Sequence, residues 1–155
     1  MKLNGAVLLQ GQFRITHKRN GKILSEEVFN NTVTDAGKKQ SASLLNAVSD
    51  NVFKFIGLGS SSTTITTDST DLGVPITAAG LKRASATCSK DTTTVSGDTA
   101  VLTHLFTATN TQAVQEAGIF STATTGGVLL AAQTFTAKNM EANDTLAVTY
   151  KTKVA

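Results

Sequence analysis

The chain has 155 residues, enough for one domain with a sizeable core, and only 16% of them are charged against roughly 25% in ordinary soluble domains. Aromatics make up 5% and Trp is absent, so a core must rest on Val, Leu, Ile, Ala and seven Phe. The net charge of +3 is scattered over His17-Lys18-Arg19, Lys38-Lys39 and Lys82-Arg83, without the concentrated basic face and interleaved aromatics of a nucleic-acid binder, so no direct nucleic-acid contact is expected.

Threonine and serine are abundant. The β-branched Thr suits a half-exposed pleated surface and Ser suits turns, which predicts an all-β fold. A Thr-rich exterior of low charge also suits a subunit whose faces are covered by neighbours. Cys88 is the only cysteine, so neither an intrachain disulfide nor a Cys-based metal site can form, and it is expected as a small residue packed in a strand. The run Ala6-Val7-Leu8-Leu9 is too short for a signal-peptide core or a membrane span, which predicts a protein made and assembled in the cytoplasm with no membrane partner.

In chain order, Met1 to Gln12 precede the first clear element and are expected to form an N-terminal arm, with Leu3, Val7, Leu8 and Leu9 as its apolar residues. Such an arm would add a strand to a neighbour through main-chain pairing. The domain proper is expected over residues 13–155. Gln12 to Phe29 reads as a hairpin: Phe13-Arg14-Ile15-Thr16-His17 alternates, and Asn20-Gly21 signals a type I′ turn. Between Thr34 and Val48 the period changes to that of a short helix, capped by Thr34 or Asp35, with Ala36, Ala42, Leu44, Leu45 and Val48 as its apolar side. Val52 to Gly59 reads as a buried strand. It leads into an exposed Ser/Thr loop from Ser60 to Asp71 that holds almost no apolar residue. Pro75 marks an extended edge segment.

Strands are then expected over Leu81 to Lys90, Thr93 to Val95 and Ala100 to Thr107. A closing hairpin follows over Val114 to Phe120 and Val128 to Phe135, and a final strand over Thr145 to Thr152. Many short strands with frequent turns predict an antiparallel β-sandwich or barrel-like domain with one short helix.

The chemistry-bearing residues do not assemble into a known catalytic pattern. Gly57-Leu58-Gly59-Ser60-Ser61 lacks the lysine of a phosphate loop and the third glycine of a dinucleotide fingerprint. His17 and His104 lie far apart and are expected as a surface and a sheet histidine; no Gly-x-Ser-x-Gly elbow accompanies them. Asp68 and Asp71 lack the glycine and terminal Glu of an EF-hand. Asp144 reads as a turn residue. Glu116, in a strand of small and apolar residues, is expected either to accept hydrogen bonds from a neighbouring loop or to pair with Lys82 or Arg83. No catalytic, cofactor or metal residue is assigned.

One pattern is more specific. Gln115-Glu116-Ala117-Gly118-Ile119-Phe120, followed by Gly126-Gly127-Val128-Leu129-Leu130, resembles the closing hairpin of small structural proteins from tailed bacteriophages. Asn31-Thr32-Val33-Thr34-Asp35-Ala36-Gly37 resembles the Asn-x-Val-Thr-x-x-Gly lead-in to their helix, and Phe55-Ile56-Gly57-Leu58-Gly59 resembles their strand ending in Gly-x-Gly. Asp68-Ser69-Thr70-Asp71-Leu72 is similar to the segment that closes their Ser/Thr loop, and Asp144-Thr145-Leu146-Ala147-Val148 to their last strand. The motif residues Gly57, Gly59, Glu116, Gly118, Phe120, Gly126 and Gly127 would be structural.

The resemblance implies a virion protein, assembled in the host cytoplasm, that self-associates, with a trimer the expected form. Its partners would be the major capsid protein or tail proteins. A similar arrangement occurs in the N-terminal attachment domain of some phage tail fibres, where Leu-x-x-Glu follows the glycine strand; this chain has Leu72-Gly73-Val74-Pro75. A fibre would also carry a shaft and tip beyond that domain, and the sequence ends at Ala155. The expectation is therefore a capsid decoration (cement) protein, with a tail fibre adaptor or baseplate component as the alternative. A glycan hydrolase is the third reading, and the low aromatic content leaves few platforms for sugar stacking.

Overall fold

The structure is a computed structural model and describes residues 8–155. Its element order is β1 (Leu9–Arg19), β2 (Lys22–Asn30), β3 (Thr32–Val33), α1 (Asp35–Leu45), β4 (Phe55–Gly59), β5 (Ala84–Ser85), β6 (Thr87–Asp91), β7 (Thr99–Thr107), β8 (Gln112–Phe120), β9 (Leu129–Met140) and β10 (Thr145–Val154). The strands form two five-stranded sheets, ordered β2-β1-β10-β7-β6 and β3-β9-β8-β4-β5, with antiparallel neighbours throughout. Their inner faces meet in a sandwich, as the Thr-rich composition and short alternating strands predict.

Alternation selects the core. Phe13 and Ile15 of β1, Leu102 and Phe106 of β7, and Leu146, Val148 and Tyr150 of β10 point inward from the first sheet. Ile56 and Leu58 of β4 and Val114, Ala117 and Ile119 of β8 meet them from the second. Each fully buried side chain of this size contributes about 1.5–3 kcal/mol relative to exposure. The Phe13 and Tyr150 rings pack 4.8 Å apart between centroids, tying β1 to β10 where they pair. The first hairpin turns through Asn20 (φ 49°) and Gly21 (φ 76°), both left-handed as a type I′ turn requires.

Several expectations need correction. The arm cannot reach Gln12: Leu9 to Gln12 already belong to β1, paired with Val154 to Lys151 of β10, and Leu9 packs against the core. Leu8 is exposed and bridges to Ala155, while Leu3 and Val7 lie outside the described residues. The stretch Leu81 to Lys90 is two strands rather than one. β5 pairs with β4 in one sheet and β6 with β7 in the other, so the chain changes sheets at Ala86. Thr93 to Val95 is no strand, because the Asp98 carboxylate gathers the N–H groups of Thr93, Thr94 and Val95 into a tight loop. Cys88 does lie in a strand, β6, but it is exposed.

The helix differs in a more instructive way. Thr34 caps it as expected, its hydroxyl accepting from Gly37 N–H at 2.9 Å. The face turned to the domain, however, is built on Gly37, not on the apolar residues. A Cβ at Gly37 would lie 2.7 Å from Leu130 Cα, so glycine allows the helix to rest on the β9 backbone. Fixed at that point, α1 leaves Ala42, Leu45 and, just beyond it, Val48 exposed, Leu45 at 84%. No helix among the described residues is long and apolar enough to cross a membrane.

Substituting Gly37→Ala should force α1 off β9 and lower stability by about 1–3 kcal/mol, the usual cost of overpacking a close contact. Urea unfolding checks this; an unchanged midpoint would show that the contact is dispensable.

Candidate functional site

The glycine strand and the Glu116 strand, separated by more than fifty residues of sequence, are neighbours in the second sheet. Their register pairs Phe55 with Phe120, Gly57 with Gly118 and Gly59 with Glu116. Ala117 and Ile119 point into the sandwich core, so Glu116, Gly118 and Phe120 point to the opposite, outer face of the sheet. That face is covered in turn by the long segment between β4 and β5.

The glycines make room for this cover. A Cβ at Gly57 would stand 2.8 Å from the Phe120 ring, and one at Gly118 would stand 3.0 Å from Leu72 Cδ2 and from Leu129 Cδ1. A Cβ at Gly59 would collide with Glu116 Oε2. On this cleared floor Ile65, Leu72, Phe120, Leu129 and Ala132 form a second, smaller buried cluster. The Ser60 to Asp71 loop is therefore anchored, not a free excursion. Its one isoleucine is buried, and its Thr67 carbonyl accepts from Asp35 N–H at the start of α1.

Glu116 is the latch. It is fully buried; Oε1 accepts from Gly73 N–H at 2.8 Å, and Oε2 accepts from Ser61 and Val74 N–H, each at 3.2 Å. Gln115 adds a bond from its side-chain amide to the Ser60 carbonyl. Of the two partners anticipated for Glu116, the loop is the one found. Every partner is a donor, the set that a carboxylate accepts.

Arg83 pairs instead with Asp71, at 3.3 Å, and lies over the Phe120 ring with 3.4 Å from Cζ to the centroid. Its Nη1 also donates to the carbonyls of Thr122, Thr124 and Gly126 at 3.4, 2.5 and 3.0 Å, which fixes the β8–β9 turn. Gly126 (φ 89°) and Gly127 (φ 76°) give that turn the left-handed backbone it needs. Burial pulls the guanidinium pKa down, and the Asp71 charge acts the other way. One arginine thus joins the cover loop, the ring and the turn. Its role was not legible in the sequence, since it depends on the three segments meeting.

A second buried cluster lies at one end of the sandwich. Asp144 accepts from His17 Nε2 at 2.9 Å, from Arg19 Nε and Nη2 at 2.9 and 2.8 Å, and from Glu141 N–H at 2.9 Å. The expected turn role is present, but His17 is a buried residue rather than a surface one. The Arg19 hydrogen bond holds the Asp144 carboxyl well below the usual carboxylate range; burial opposes it, and the Glu141 and His17 bonds reinforce it. His104, by contrast, stands in β7 against Phe106, with ring centroids 4.5 Å apart. No group of three or more His, Cys, Asp or Glu that could hold a metal ion occurs among the described residues.

Glu116→Gln should destabilise the fold by about 1–3 kcal/mol, because the new amide NH2 faces N–H donors and leaves buried groups unpaired. Accelerated hydrogen exchange at Ser61, Gly73 and Val74 would check it; protection equal to that of the parent protein would refute the latch. The Asp144 pKa is depressed in the folded state, so its contribution is present above the unfolded value and lost as pH falls through the folded one. The stability difference between the parent protein and Asp144→Asn should then shrink as pH falls below about pH 4. Urea titrations at several pH values measure it.

Comparison of the chain with protein-family models, with curated proteins and with solved structures finds no match in any of the three.

Proposed function

We propose that this chain is a structural protein of a tailed-bacteriophage virion, binding the head shell as a decoration (cement) protein. The observation that carries this reading is the shared order of the motifs that resemble those phage proteins, together with their physical unity. Gly57, Gly59, Glu116, Gly118 and Phe120 form one surface of one sheet, and the Asp71-Leu72-Gly73-Val74 segment closes over it. Motifs far apart in sequence that serve one packing arrangement make a more specific signature than any of them alone.

The surface suits such a role. Thr103 and Thr149 pair across the outward face of the first sheet, and exposed apolar residues such as Ile23, Leu24, Val28 and Leu105 are distributed over the same layer. Burial of this hydroxyl-rich and apolar surface against several shell subunits would oppose the pressure of packaged nucleic acid, and repetition over a lattice supplies avidity from modest single contacts. The protein would act as a homo-oligomer, with a trimer the expected form.

Mixing the purified protein with expanded heads that lack it, then imaging by cryo-electron microscopy, tests the reading. Ordered density at symmetry-related positions on the shell is the expected result. Bare shells together with rings or density on isolated tails would replace it with the tail adaptor or baseplate role. Binding to neither would overturn both.

A further inference from the structure

Among the described residues, the start of β1 is a sheet edge without a partner strand, set between two cavities. Leu8 and Ala155 exchange both main-chain hydrogen bonds, at 2.6 and 3.0 Å, so Leu8 turns its peptide groups towards β10. Antiparallel alternation then turns those of Leu9 and Gly11 towards the opposite edge. There β2 pairs with β1 only from Gln12 onward, and Asn31 N–H reaches the Gly11 carbonyl at 3.4 Å before the chain leaves for β3. Among the described residues nothing pairs with Leu9 N–H, Leu9 C=O or Gly11 N–H.

The two cavities share Leu9 and Val33. One, of about 530 Å³, is apolar: Leu8, Leu9, Val33 and Val154 meet Ala42 and Leu44 of α1, the helix side left open because Gly37 fixes its seat. The other, of about 540 Å³, is polar and basic, with Gln10, Gln12, Asn30, Thr99, Lys151 and Lys153 in its walls. Leu9 and Val154 lie side by side in register, as do Gln10 and Lys153, and successive residues alternate between the two faces of the sheet.

We propose that this edge is a docking site for an extended peptide segment of a partner protein, which adds as a strand beside Leu9 to Gly11. Its side chains would alternate, apolar ones entering the groove under α1 and acidic ones reaching across Gln10 and Gln12 into the basic cavity that Lys151 and Lys153 line. Main-chain pairing supplies affinity and the two cavities supply sequence preference, as in strand addition generally. The acidic preference follows from charge: Lys151 is matched by Asp91 at 2.6 Å, but Lys153 Nζ meets only the neutral Thr94 hydroxyl, also at 2.6 Å. The site is independent of the virion reading, since any partner carrying such a segment would fit.

The test uses the full chain and a synthetic peptide of about seven residues alternating Val or Leu with Asp or Glu, a length that spans the edge in extended form. Titration calorimetry should show binding, and hydrogen exchange should show new protection at the Leu9 and Gly11 amides. The same peptide with Lys in place of its acids should bind at least roughly tenfold more weakly, and Lys153→Glu should reverse that order. Leu9→Pro removes the outward-facing donor and spares the bonds to β10, so it should abolish binding; Leu9→Ala, which trims the same half-buried side chain but keeps the donor, should lower the thermal midpoint similarly and retain binding. Binding unaffected by Leu9→Pro, or absent from the parent protein, overturns the proposal. So does a result in which only a chain lacking residues 2–7 binds and a peptide of residues 1–7 competes, because the edge would then belong to the protein's own N-terminal segment.

Discussion

The fold depends on one buried carboxylate. Taking Glu116 out of water costs several kcal/mol, and the cost is offset only because the Ser61, Gly73 and Val74 N–H groups converge on its oxygens. The dependence runs both ways. The loop's own backbone donors need an acceptor once Ile65 and Leu72 draw it onto the sheet, and Glu116 is that acceptor. The charge and the cover are therefore stable only together, which explains how a Ser/Thr-rich segment with little apolar content of its own remains in place.

This arrangement gives the second sheet two buried faces, an unusual demand for an antiparallel sheet, where one face commonly meets water. Glycine meets the demand. Removing Cβ atoms at Gly57, Gly59 and Gly118 lowers the floor by the thickness of a side chain, so Phe120, Leu72 and the carboxylate fit above it. Arg83 then closes the layer by lying on Phe120 and holding the β8–β9 turn by its carbonyls. The first sheet buries its inner face, while its outer side, with Thr103, Thr149 and the exposed Val28 and Leu105, is left uncovered among the described residues. The division of labour is physical: one sheet spends its outer face on internal cover, while the other presents its outer face to the surroundings.

Glycine also decides the helix. The sequence pattern puts Ala42, Leu45 and Val48 on an apolar side, which a helix standing on a sheet through ordinary side chains would bury. Gly37 permits a much closer approach at a single point, against the Leu130 backbone, and that contact fixes the rotation of the helix. The apolar side is then left facing outward, beside the edge of β1 that no other described strand pairs. A local pattern was outweighed by one close contact with a strand nearly a hundred residues away in sequence.

The all-β class, the Asn20-Gly21 hairpin, the Thr34 cap and most strands after Thr99 were legible in the sequence, because period-two alternation, turn chemistry and capping are properties of short segments. The special standing of Glu116 was legible too, since a lone carboxylate in a strand of small and apolar residues needs partners wherever it folds. What only the tertiary structure decided were the meetings between distant segments: Gly59 opposite Glu116, Arg83 on Phe120, His17 buried against Asp144, and the change of sheet at Ala86. None of these has a local signature. A side chain's partner is set by the register and layering of strands far from it, and those are fixed by the packing of the whole chain.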